Sequence, residues 1–103
     1  LVISGGYNVY PKEVEGHIDE MDGVVESAVI GLPHPDLGEG VTAVVVPAEG
    51  ASPEEADVIA ALSDKLARYK QPKRVFFVDS LPRNTMGKVQ KNQLRDRFKD
   101  TYR

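Results

Sequence analysis

From Pro82 to Lys91 the chain reads Pro-Arg-Asn-Thr-Met-Gly-Lys-Val-Gln-Lys, with Lys88 directly after Gly87 in a turn ahead of an amphipathic stretch. An ammonium presented on such a turn can be aimed at a phosphate or a carboxylate. The nearest generic template is the phosphate loop, which begins on a glycine and ends in Gly-Lys-Ser or Gly-Lys-Thr. Here Pro82 stands at the first glycine position and Val89 at the hydroxyl position. Without that glycine the backbone cannot curl its N–H groups around a phosphate, and without the hydroxyl nothing holds Mg²⁺. What remains is one lysine on a short, sterically restricted lead.

A second turn also calls for explanation. Gly5-Gly6 separates Leu1-Val2-Ile3-Ser4 from Tyr7-Asn8-Val9-Tyr10, two short extended segments that suggest a hairpin. A turn alone needs only one glycine; two adjacent glycines leave bare backbone that another molecule can approach.

The elements that must position these turns follow from periodicity. Pro11 suits the first position of a helix, and Val14, Ile18 and Met21 recur at helical spacing until Gly23. Val24 to Leu32 is β-branched and reads as a strand stopped by Pro33 and Pro35. The loop from His34 to Gly40 leads to a second strand at Val41–Val46, whose largely apolar run suggests burial on both faces. Ser52 and Glu55 suggest a capping box, with Pro53 just inside it and Val58, Ile59, Leu62 and Leu66 as the apolar face of a second helix. A third strand is expected at Val75–Val78, and a last helix from about Lys91, carrying Leu94, Phe98 and Tyr102. Each helix has one apolar stripe to bury, so the expected fold class is α+β: a small mixed β-sheet with an N-terminal hairpin, covered by about three helices.

The 103 residues make one domain, too small for a deep cleft of its own. The chain lacks cysteine, which removes disulfides, thiolate nucleophiles and cysteine metal sites. No apolar run approaches the roughly 18 residues that span a bilayer, and no signal-peptide pattern is present; a soluble, cytoplasmic protein without membrane partners is expected. Leu1 is not an initiator methionine and falls inside an expected strand, which suggests a piece of a longer protein. Net charge is −3 but unevenly placed: residues 1–69 hold 3 Lys/Arg against 13 Asp/Glu, and residues 70–103 hold 10 against 3. The basic third implies either an anionic partner or charges balanced on its own surface.

Other chemistries find little support. His17 and His34 have no second ligand at metal spacing, so no metal site is expected. Asp36 and Glu39 could form a carboxylate pair, but side chains bonding loop backbone are the commoner reason for such residues there. The serines lack a nucleophile-elbow context. Lys91, Arg95 and Lys99 run parallel to the apolar stripe of their helix, and Phe76 and Phe77 read as core, so nucleic acid is not an expected partner.

Four motifs, Ile3-Ser4-Gly5-Gly6-Tyr7-Asn8-Val9-Tyr10-Pro11-Lys12-Glu13-Val14-Glu15, Val29 through Glu39, Tyr69-Lys70-Gln71-Pro72-Lys73 and Leu81 through Lys88, together resemble the C-terminal domain of the acyl-CoA synthetase family. This is the adenylate-forming superfamily of acyl- and aryl-CoA ligases, peptide-synthetase adenylation domains and luciferase. The resemblance covers essentially the whole chain, and Pro82 to Asn92 is worded most like malonyl-CoA synthetases. It implies that residues 1–103 are the mobile lid domain, beginning just after the interdomain hinge. It further implies Mg·ATP and CoA as cosubstrates, held mainly with a large N-terminal domain, and a carboxylic acid substrate such as malonate. By similarity Lys88 is the catalytic lysine of acyl-adenylate formation, Gly87 gives its turn room, Lys91 is at most secondary, and Gly5, Gly6 and Tyr7 line the tunnel for the pantetheine arm of CoA. The lysine matching Lys88 is reversibly acetylated in several bacterial members, which makes a protein acetyltransferase and deacetylase candidate partners. A stand-alone binding or regulatory module of the same fold is the alternative.

Overall fold

The computed structural model describes every residue from Leu1 to Arg103. In chain order its elements are β1 (Val2–Ser4), β2 (Tyr7–Val9), α1 (Pro11–Asp19), β3 (Val24–His34), β4 (Gly38–Pro47), α2 (Glu55–Leu62), a 3₁₀ turn at Arg68–Lys70, β5 (Arg74–Phe77) and α3 (Lys91–Phe98). The sheet is mixed, as the pattern implies. β3 and β4 form a long antiparallel hairpin from Val24 opposite Pro47 to His34 opposite Gly38. The other edge of β4 is shared: β1 meets it antiparallel at Gly38, and β5 runs parallel from Thr42 to Val45.

Alternation along β4 populates two cores. Val41, Ala43 and Val45 face Val14 and Ile18 of α1 and Val58 and Leu62 of α2, while Val44 and Val46 face Leu81 and Leu94 on the side of α3. Val44 and Val45 are completely buried. Burying each such side chain stabilises the fold by about 1.5–3 kcal/mol, which is why a β-branched run on a two-faced strand dominates the sequence pattern. α1 also covers the free edge of β3. Glu15 Oε2 accepts the Val29 N–H at 2.8 Å, occupying an edge donor that could otherwise pair with another chain, and Asp19 Oδ1 accepts from Ser27 Oγ at 2.7 Å, fixing the helix beside it.

Several expected boundaries move. β3 continues through Pro33 to His34, because β3 is an edge strand where a missing N–H costs no ladder bond. The turn after it is organised by His34, whose Nδ1 accepts from the N–H groups of Asp36 and Leu37, and by Glu39, whose Oε1 accepts from Ile3 N. Asp36 contributes only its backbone. α2 stops at Leu62; Leu66 is still buried, and the Gln71 side-chain amide donates to the carbonyls of Leu62 and Leu66. The capping box lies two residues later than Ser52 and Glu55. Glu54 is the cap, its N–H donating to Asp57 at 3.3 Å.

Glu55 is thereby freed for another task. Its Oε2 accepts the Val75 N–H at 2.7 Å and meets Arg74 Nε at 2.8 Å, tying α2 to the outer edge of β5. The Val75 N–H holds the Glu55 carboxyl below its ordinary pKa; partial burial opposes this and Arg74 adds to it. A lowered folded-state value gives stability above the unfolded value of about 4.3 and loses it as pH falls through the folded one. Glu55→Gln should therefore lower resistance to urea near neutral pH, with the deficit closing as pH drops below about 4. A deficit independent of pH would contradict the assignment.

Candidate functional site

Lys88 sits in a miniature hairpin whose arms are joined by the backbone bridge between Arg83 and Val89. Asn84 organises it from inside. Its Oδ1 accepts the N–H groups of Met86 and Lys88, both at 3.0 Å, while its own N–H donates to the Lys88 carbonyl and its carbonyl accepts from Gly87 N–H, again at 3.0 Å. Gln90 N–H closes the base on the Pro82 carbonyl at 2.8 Å. Arg83 reaches across the turn: Nη1 donates to the Gly87 carbonyl at 2.7 Å, and Nη2 pairs with Glu26 on β3.

These bonds hold the shape of the turn and leave the Lys88 side chain over. It is exposed and enters no ion pair. Gly87 has φ +81°, and a Cβ built there would meet nothing within 4 Å. The glycine is therefore required for its left-handed backbone rather than for room, a correction to the expectation from sequence. Lys91 belongs to a different arrangement. Standing at the start of α3, where the helix dipole disfavours a cation, it is held by Glu15 at 2.7 Å, which bridges α3 to α1.

The diglycine turn joins β1 to β2 with φ +58° at Gly5 and +85° at Gly6, the pattern of a tight hairpin turn that strongly favours glycine. Gly5 N–H donates to the Leu37 carbonyl at 2.9 Å, and a Cβ on Gly5 would press on the Leu37 side chain at 3.2 Å. Gly6 faces open space. Tyr7 is exposed and stacks on Tyr69 with ring centroids 4.6 Å apart. Beside this pair lies an open cavity of about 380 Å³ walled by Ser4, Gly5, Tyr7, Leu37, Arg68, Tyr69 and Lys73. Lys70, next to Tyr69, pairs with Glu13 at 3.0 Å while its ammonium stands 5.7 Å from the Tyr69 ring centre; the Glu13 hydrogen bond raises its pKa.

The fold brings Gly5, Gly6 and Tyr7 together and keeps them far from Gly87 and Lys88. Gly5 binds the turn end of the β3–β4 hairpin through Leu37, whereas Arg83 grips Glu26 near its open end. From Glu26 to His34 the strand runs about 26 Å at roughly 3.3 Å per residue. The turns also lie over opposite cores, Val2 and Val9 with α1 and α2, Leu81 and Val89 with α3. Arg83, Asn84, Arg68, Tyr69 and Lys73 received no role from sequence reasoning. The last two lie in the Tyr69–Lys73 motif, and that repeated signal was the available pointer. Neither His17, His34, Asp36 nor Glu39 joins a metal-binding group; no three His, Asp or Glu side chains converge in the structure.

Comparison with known proteins gives a consistent picture. The chain is 52% identical, over 96% of its length, to a methyl-dioxo-octahydroindenyl propanoyl:CoA ligase of Rhodococcus jostii. It is 45% identical, over 98% of its length, to the long-chain-fatty-acid–CoA ligase FadD13 of Mycobacterium tuberculosis. Among solved structures, ATP-bound MatB from Rhodopseudomonas palustris matches all of the chain with 65% identity and a TM-score of 0.98. The chain spans about a fifth of each: 19% and 20% of the two ligases and 20% of the MatB chain. The profile of the AMP-binding enzyme C-terminal domain matches residues 13–88. With fold, motifs and relatives in agreement, the chain belongs to the family of AMP-binding enzyme C-terminal domains.

Proposed function

We propose that residues 1–103 form the mobile C-terminal domain of an ATP-dependent acid:CoA ligase, which makes an acyl-adenylate and then a thioester. The observation that carries the reading is Lys88: an unpaired ammonium on a turn whose shape is held by its own hydrogen bonds.

In the first half-reaction a carboxylate attacks the α-phosphorus of ATP, a new C–O–P linkage forms and pyrophosphate leaves with the P–O electron pair. Two anions approach in line. At about 4 Å and an effective dielectric of about 20, unit charges repel by about 4 kcal/mol, or nearly three decades in rate. Lys88, brought to this point by docking of the domain on the large N-terminal domain, offsets that repulsion. This domain gathers no carboxylate cluster for a metal, so Mg²⁺ would arrive with the nucleotide on the large domain. In the second half-reaction the thiol of CoA attacks the acyl carbon and AMP leaves. The diglycine hairpin supports this step. Bare backbone at Gly5 and Gly6 admits a thin pantetheine arm, and the unpaired cations Arg68 and Lys73 on the adjoining cavity suit its phosphates.

The wording of Pro82–Asn92 supports malonate or a similar short diacid as the activated acid. Exposure of Lys88 on a turn also suits reversible acetylation, which would remove the charge that adenylation needs. A cytoplasmic setting, where ATP, CoA and acetyltransferases meet, follows from that reading.

In the full-length ligase Lys88→Ala should slow pyrophosphate release about 10²–10³-fold while leaving thioester formation from supplied acyl-adenylate within about twofold. Equal losses in both half-reactions would contradict the division of labour. Conversely, Gly6→Leu, which places a side chain in the open space beside the hairpin, should slow thioester formation at least about tenfold and spare adenylation. An unchanged thioester rate would remove the hairpin from the CoA path. For modification, incubation with a protein acetyltransferase and acetyl-CoA followed by peptide mass mapping should find Lys88 acetylated; an unmodified Lys88 would refute it.

A further inference from the structure

The bonds around Lys88 divide into two sets with different consequences. Those made by Asn84 begin and end within residues 84–88; they fix the shape of the turn but not its direction relative to the sheet. Val89 is half-buried against the α3-side core and anchors the base of the turn, while Thr85, Met86, Gly87 and Lys88 are all exposed, Met86 to 89%. Two side chains link the tip to the body of the domain: Gln90, at the start of α3, donates through Nε2 to the Lys88 carbonyl at 3.1 Å, and Arg83 alone joins the tip to the sheet. The guanidinium of Arg83 donates through Nη1 to the carbonyl of Gly87, the residue preceding the lysine, and through Nη2 to the carboxylate of Glu26.

Glu26 is placed for this by β3 itself. The register shifts between Val24 and Glu26, so Val25 is the extra residue of a β-bulge, and Glu26 falls on the same face as Ala28 and Ile30, the face that carries Leu81 and Val89. The two-residue alternation of β3 from Glu26 onward thus puts this carboxylate on the side of the sheet where the lysine turn begins. Both members of the pair are partly exposed, with side-chain accessibilities of 42% and 31%, so the pair contributes little to global stability. Its effect is local: it couples the direction of the turn to the rigid β3–β4 hairpin.

We propose that Arg83, held by Glu26, is a positioning residue for the adenylation step, setting where the Lys88 ammonium is carried when the domain docks. The proposal rests on the reading of Lys88 as the lysine of that step. Arg83 is suited to the task because a guanidinium fork can bind two acceptors in fixed geometry, whereas a lysine ammonium is a point charge on a flexible stem. Losing a hold of this kind lets the turn sample other directions and lowers the competent population, so turnover falls while substrate affinity does not.

The test uses the full-length ligase with Arg83→Met, Arg83→Lys, Glu26→Ala, the double variant Arg83→Met with Glu26→Ala, and Lys88→Ala as reference. Arg83→Met should lower kcat for pyrophosphate release about tenfold, with KM for ATP and the melting temperature nearly unchanged and thioester formation from supplied acyl-adenylate intact. Glu26→Ala should show the same split at about three- to fivefold, and the double variant should lose no more than Arg83→Met alone, since the two side chains act through one link. Arg83→Lys should recover only part of the loss. Wild-type adenylation in Glu26→Ala beside a defective Arg83→Met would mean that Arg83 meets substrate directly, which overturns the positioning role. Equal losses in both half-reactions, together with a lowered melting temperature, would make the residue merely structural. If Lys88→Ala leaves adenylation intact, the reading of Lys88 fails and this proposal with it; if only Lys88→Ala is defective, the Arg83 proposal alone fails.

Discussion

The structure depends on the pairing of β3 with β4. A strand covered on both faces has no polar side to offer water, so β4 must place every alternate residue into one core or the other, and its sequence is correspondingly apolar from Val41 to Val46 with one exception. The exception is Thr42, completely buried, whose Oγ1 lies 3.1 Å from the Gly40 carbonyl and 2.7 Å from Tyr102 Oη. Tyr102 can approach because Gly40 lacks a side chain: a Cβ there would lie 2.7 Å from the tyrosine ring. Burial raises the pKa of the tyrosine, and the hydrogen bond with Thr42 opposes that rise. The C-terminal turn is thus latched to the central strand, and with it α3 and the end of the lysine loop. All three helices, the N-terminal hairpin and the Lys88 turn take their positions from this one hairpin.

Charge follows the same economy. The basic character of residues 70–103 admits either an external anion or internal balance, and most of it is balanced internally. Lys70 meets Glu13, Arg74 meets Glu55, Arg83 meets Glu26 and Lys91 meets Glu15, each pair joining the basic third to the acidic body. Lys99 and Arg103 pair within their own segment. The cations left without a carboxylate include Lys73, at the cavity beside the diglycine hairpin, and Lys88, at the tip of its loop. Pairing elsewhere in the segment leaves these two, with Arg95 and Arg97, as its free positive charges, so the net charge of the segment overstates the positive surface open to an anion.

Much of this was legible in the sequence because it arises from local rules. Pro11 at a helix start, the diglycine hairpin, the two-faced run of β4 and the Leu94 and Phe98 stripe each report their element through steric or periodic constraints that need no knowledge of the fold, whereas Tyr102, expected on the same helix, lies in the turn after α3 ends and only shares its core. What was not legible depends on partners distant in sequence. Glu55 looked like half of a capping box because its spacing from Ser52 fits one; only the position of β5 reveals that it serves Val75 and Arg74. Pro33 looked like a strand stop because nothing in sequence says which strand will be an edge. Gly87 looked like a need for space because sequence cannot separate space from a positive φ. Arg83 and Glu26, 57 residues apart, carry no mutual signal at all.

Placing the two turns at opposite ends of a rigid hairpin constrains any mechanism that uses both. Their supports, Glu26 and Leu37, bracket a strand of about 26 Å, and two bonded cores make that separation incompressible. Lys88 and the Gly5–Gly6 hairpin also lie over opposite cores, so one docking pose presents them to different points. If both serve the same centre, as proposed, the domain must leave it and return in another orientation between steps. Such a domain benefits from a stiff interior and from turns whose geometry is settled before docking, since every degree of freedom left in the turn would have to be ordered again in each cycle. The internally bonded Asn84 turn and the tight Gly5–Gly6 hairpin meet that requirement at the two ends, and the β3–β4 pairing meets it between them.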